Sequence, residues 1–307
     1  MTDSYFIAGG WPGDLINIAN SIGVSQAYEN ITRSTIPGSR MAARWHNSVN
    51  DARPSDPSAD ARQDIADFDT LMITEISPPP RPGQASDAQS MADSLDYLCR
   101  FAANTLENGN SGNGASDVVL WSNWPALTMW RPERPPYTAS WQEFANFRAA
   151  LPEFGRSYEF MAEYASWKMR QTHPSLPDEW RIWVFPGHLW MARVWDDIEA
   201  GKVPGVTNMQ DLFEDDIHTN GIGGYGLACL VTTCLYQFNL SNRRTFHTPA
   251  GISAPLRTYF ATLAWDIATS YAPAGMTGNL RSAPLWNAVT MNDPLPNWPP
   301  SDLDEVN

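Results

Sequence analysis

The sequence predicts an α/β protein of three layers, with helices on both faces of a parallel central sheet. Short β-branched or aromatic runs bounded by turn residues recur at 4–9, 69–76, 116–123 and 181–187. Longer segments with apolar residues at helical spacing lie between them. Strands that read as continuous apolar runs and alternate with helices are those of a parallel sheet covered on both sides.

The elements follow in order. After "SYFIAG" comes "PGDLINIANSIG", in which Leu15, Ile18, Ala19 and Ile22 fall on one helical face. "DTLMITEI" is the next strand, followed by a helix over 85–107. "SDVVLWSN" is the third, followed by two helices over 140–151 and 155–171. "RIWVFPG" is the fourth and leads into a helix over 188–201. A strongly apolar helix over 224–238, a loop through "NRRTFHTPAG" and a helix over 254–271 complete a single domain, residues 1–272. The Pro-rich tail 273–307 is expected to be loosely ordered. Loops at 50–62 and 77–90 are rich in Pro, Ser and Asp but too short to divide the chain.

Composition narrows the function. Hydrophobic residues at 43% and charged residues at 18% suit a globular protein with a sizeable core. A net charge of −14 opposes a phosphate backbone, so nucleic acid is not an expected partner. No apolar run reaches membrane-spanning length, and the first residues lack the pattern of a secretory signal. The expectation is a cytoplasmic protein as written, or an exported one if a leader has been removed. Cys99, Cys229 and Cys234 sit in apolar helical patterns and read as buried free thiols. His46, His173, His188 and His247 show no metal-binding spacing, and no cofactor is implied. Many of the 14 Trp residues flank Pro or polar residues in loops, where rings can stack on sugars or plug core edges.

The stretch "LFEDDIHTNGIGGY", 212–225, carries the clearest chemistry. Asp215 and His218 are spaced so that one turn brings the carboxylate to the imidazole Nδ1, leaving Nε2 to act as a base. The competing reading is that Asp215 or Asp216 caps the following helix. "GIGGYG" matches the dinucleotide-binding glycine pattern, but it follows no strand and lacks the acidic residue about twenty positions on, so we reject it.

This block resembles the last block of the SGNH/GDSL hydrolase superfamily, an Asp-x-x-His entering the final helix, and the resemblance implies an SGNH, flavodoxin-like fold. "STIPGSRMAARWHN" resembles the second block and implies Gly38 as an oxyanion donor. "VVLWSNWP" resembles the third and implies Asn123 as another. The resemblance covers roughly residues 1 to 240.

Two placements compete for the first block, which should bring the nucleophile. If "SYFIA" is the preceding strand, "GGWPG" offers no Ser, Cys or Thr, and the protein is catalytically silent. If "TDSY" is the block, Ser4 is the nucleophile and the strand that should precede it is missing. Ser21 falls at the end of a helical pattern and Ser77 after the second strand, and neither is assigned the role. His46 and Glu75 are candidates to face the cleft, and Trp11, Glu75 and Trp124 are candidate substrate contacts.

The leading expectation is therefore a serine ester hydrolase using Ser4, His218 and Asp215, acting on a small-molecule or carbohydrate ester. The alternative is a silent SGNH-fold protein that binds a glycan or a protein partner. Oligomeric state is not legible in the sequence.

Overall fold

The computed structural model describes residues 11–24, 39–47, 61–75, 88–112, 116–127, 146–276 and 285–300. The elements are α1 (Trp11–Ser21), α2 (Met41–Asn47), β1 (Thr70–Ile73), α3 (Ala88–Gly112), β2 (Asp117–Trp121), α4 (Phe147–Thr172), β3 (Trp183–Phe185), α5 (Gly187–Glu199), α6 (Gly221–Tyr236) and α7 (Ala254–Ser270). The expected strand at 4–9 lies outside the described residues.

The strands form a parallel sheet in the order β1-β2-β3. Thr70 to Ile73 pair with Asp117 to Leu120, and Val119 to Trp121 with Trp183 to Phe185. Val118, Val119, Leu120 and Trp121 are buried one after another. Since successive strand side chains point to opposite faces, both faces of β2 are covered, and the architecture is three-layer α/β/α. Helices α3 and α4 lie against the strands and each other.

Helix α6 is apolar all round and accordingly buried all round, with every residue from Gly223 to Cys234 inside. It packs on α1 and α7. Its glycines let α5 and the preceding loop come close as well. A Cβ on Gly226 would stand 2.3 Å from the Trp190 ring, and one on Gly223 would stand 2.5 Å from the Leu212 carbonyl oxygen. The three cysteines are free and buried, as expected, and burial pushes each thiol pKa up.

Two expectations are corrected. The helices expected at 140–151 and 155–171 are replaced over the described residues by one continuous helix, α4, with Pro152 inside it. Asn146 caps it by accepting from the Ala149 N–H at 2.9 Å. Proline lacks the N–H of one helical bond, but the buried face of Leu151, Phe154, Tyr158, Met161 and Ala165 runs straight past it, and packing carries the helix through.

The tail is not loose over 285–300. Trp286 is buried against Phe160, Tyr164 and Trp167 of α4, and Asp293 takes a 2.7 Å ion pair from Lys168 and a 2.6 Å hydrogen bond from the Tyr164 hydroxyl. A composition rich in proline removes backbone donors without preventing aromatic side chains from docking.

Candidate active site

The loop leading into α6 is closed on itself. Phe213 and Thr219 form an antiparallel bridge, the Glu214 N–H donates to the His218 carbonyl, and the Asn220 N–H donates to the Leu212 carbonyl, both at 2.9 Å. Inside the closure, Asp215 Oδ1 accepts from the backbone N–H groups of Ile217 and His218 at 2.8 and 2.7 Å. Its other oxygen, Oδ2, meets His218 Nδ1 at 2.5 Å. This is the turn in which a short carboxylate folds back on the backbone two and three residues on.

The competing cap role falls elsewhere. Asn220 caps α6, its side-chain oxygen accepting from the N–H groups of Ile222 and Gly223 at 2.9 and 3.2 Å. Asp215 is thereby committed to His218. Partial burial works to raise the Asp215 carboxyl pKa, but the bonds from the His218 ring, the Ile217 N–H and the His218 N–H outweigh it and hold the pKa below the ordinary 3.8. A carboxylate so held fixes the tautomer with the proton on Nδ1 and directs Nε2 as the basic end.

The segment after β2 is stitched to this loop. Trp124 Nε1 donates to the Ile217 carbonyl at 3.1 Å, and the Leu127 N–H donates to the Asp216 carbonyl at 2.8 Å. The Trp124 ring meets Phe213 edge to face. Asn123 is fully buried, and its Nδ2 donates to the Glu75 carbonyl at 3.2 Å. The ends of β1 and β2 and the Asp215–His218 turn thus form one connected layer at the carboxyl edge of the sheet, where parallel α/β proteins carry their chemistry.

Other candidates take different places. Trp124 is 1% exposed with its N–H spent, so its expected substrate contact is corrected to a positioning contact. Glu75 is buried as well. Its Oε2 accepts from the Ser94 hydroxyl at 3.1 Å and its carbonyl also accepts from the Tyr158 hydroxyl at 2.5 Å, so it is neither a solvated strand end nor an open substrate contact. His46 Nε2 pairs with the Tyr97 hydroxyl at 2.6 Å on the surface. Ser21 closes α1, bonded to the Ile18 carbonyl. Trp11 starts α1, with its side chain outside the description, and Ser4, Gly38 and Ser77 lie outside the described residues.

Sequence reasoning missed three supports of this layer. Asn220 carried a legible signal, a cap residue directly before an apolar helix. The roles of the Trp124 N–H and the Tyr158 hydroxyl had none, because each depends on a partner distant in sequence.

Among the described residues, no group of three or more His, Cys, Asp or Glu side chains is placed to hold a metal ion, and no helix is long and apolar enough to cross a membrane. No protein-family model matches the chain, and the search of curated proteins finds no match. Among solved structures, the chain is similar to a DUF4886 family protein from Bacteroides uniformis, at 15% identity and a TM-score of 0.49 over 86% of this chain and 92% of that one.

Proposed function

We propose that the protein is an SGNH-like serine ester hydrolase. The observation that carries this reading is the 2.5 Å bond between Asp215 and His218 Nδ1, in a loop whose helix-capping duty is met by Asn220. In the proposed reaction Ser4 Oγ attacks the acyl carbon while His218 Nε2 takes its proton. The proton passes to the departing alcohol, and a water activated by the same nitrogen then releases the acid. Asp215 stabilises the imidazolium formed at each step. The oxyanion is held by the Ser4 and Gly38 N–H groups and the Asn123 amide. The bond from Asn123 Nδ2 to the Glu75 carbonyl fixes the amide's orientation, and the cover over this fully buried residue must shift for an oxyanion to reach it. With Trp124 buried, a carbohydrate alcohol depends on other aromatic rings, Trp11 at the start of α1 first among them.

The test is reaction of the purified protein with a fluorophosphonate probe, followed by peptide mapping. Labelling of Ser4 that disappears in His218→Ala supports the hydrolase. Absence of labelling on every serine replaces it with the silent, ligand-binding reading.

A further inference from the structure

At the opposite end of the sheet, a cavity of about 460 Å³ opens where the carboxyl-terminal half of α4, the residues entering β3 and the docked tail meet. That volume lies in the range that holds a small organic molecule. Ala162, Trp167, Ile182, Val184, Pro273 and Trp286 give it a mostly apolar wall.

Its polar groups are unusual for a structural gap. Arg170 and Arg181 both line it. Arg170 Nη1 donates to the Trp180 carbonyl at 2.5 Å and Arg181 Nε to the Glu179 carbonyl at 3.0 Å. No carboxylate of the described residues lies within 4.0 Å of either guanidinium. Burial lowers the pKa of both, Arg181 lowers that of Arg170 further, and Glu179 attracts Arg181 from beyond ion-pair distance. Trp286 closes the wall. It is 5% exposed, its ring packs against Phe160, Tyr164 and Trp167, and its indole N–H is sealed among them rather than turned to the cavity.

Three acids also line the cavity. Glu159 Oε1 accepts from the Tyr271 hydroxyl at 2.9 Å, and Glu163 Oε2 accepts from the Trp286 backbone N–H at 2.8 Å. Asp178 attracts Arg170 from beyond ion-pair distance.

We propose that this cavity is a second binding site, selective for a small monocarboxylate with an aromatic or acyl body, whose carboxylate meets Arg170 and Arg181. A planar guanidinium matches a carboxylate with two parallel bonds, and an apolar body fills the aromatic wall. The inference is independent of the hydrolase reading, since Arg181 and Ile182 precede β3 whereas the Asp215–His218 turn adjoins the carboxyl end of β2.

The test is calorimetric titration of the full chain with 3-phenylpropionate, 3-phenylpropanol and 3-phenylpropylamine, three probes alike except for the head group. The carboxylate is expected to bind at least about tenfold more tightly than the alcohol, as a charge-assisted bond requires. Arg170→Gln and Arg181→Gln, each checked for an unchanged circular dichroism spectrum, weaken the carboxylate and leave the alcohol nearly unchanged. His218→Ala leaves both unchanged. Preference for the amine, equal binding of acid and alcohol, or no heat with any probe at millimolar concentration overturns the proposal. The comparison of probes on the native chain decides it even if an Arg variant fails to fold.

Discussion

Trp124 Nε1 reaches the Ile217 carbonyl at 3.1 Å, joining residues 93 apart in the chain and fixing the segment after β2 against the loop that enters α6. The bond sets where the Asp215–His218 turn stands relative to the end of β2. In Trp124→Phe the ring keeps most of its contacts with Trp121 and Phe213 while the Ile217 carbonyl loses its donor. The expected cost is about 1–3 kcal/mol in thermal or denaturant unfolding. Fluorophosphonate labelling slows by more than that loss of folded protein accounts for. Equal labelling rates per folded molecule would show that the link is structural only.

Asp215→Asn retains an oxygen for the Ile217 and His218 N–H groups but cannot hold the imidazolium. Labelling of the nucleophile at neutral pH is expected to fall by at least about a hundredfold, with little change in melting temperature. Asn220→Ala gives the reverse pattern, a loss of about 1 kcal/mol of stability with the pair intact. Measuring both rates and both melts separates the carboxylate proposed for catalysis from the helix cap.

Gly155 lies where the His188 ring rests on α4, and a Cβ there would stand 2.1 Å from His188 Nε2. His188 is itself held by Ser122 Oγ, 2.7 Å from its Nδ1, so it cannot yield cheaply. Gly155→Ala is expected to cost about 1–3 kcal/mol through overpacking. A helix-propensity gain from Ala, seen as a raised melting temperature, would contradict the packing account.

Asp293 gives the docked tail a pH dependence. Partial burial raises its carboxyl pKa, but the bonds from Lys168 and Tyr164 outweigh that and leave it below the ordinary 3.8. A group with a depressed folded-state pKa stabilises fully above its unfolded value and loses that contribution as pH falls through the folded one. Melting temperature is therefore expected to drop more steeply below pH 3.8 in the native protein than in Asp293→Asn. Parallel curves would remove Asp293 from the acid response.

How much was legible follows from where the information resides. Three of the strands expected from apolar runs appear as β1, β2 and β3, and the Asp215–His218 pair was visible because all its bonds span at most three residues. Trp124 was misread because a loop Trp beside Pro looks alike whether its ring faces a ligand or Phe213. The tail was misread for the opposite reason. Its proline content was visible, but the grip of Lys168 on Asp293 joins positions 125 apart. The direction of the Glu75 side chain toward Ser94 is likewise a property of the assembled layer, not of "TEIS".

The loop from Leu212 to Asn220 ties its own ends together through the Phe213–Thr219 bridge and the bond from Asn220 to Leu212. These closing bonds run from backbone to backbone, so exchanging the Glu214 side chain leaves its bond in place, whereas proline at that position would delete the N–H that meets the His218 carbonyl and unfasten the turn that holds His218 to Asp215.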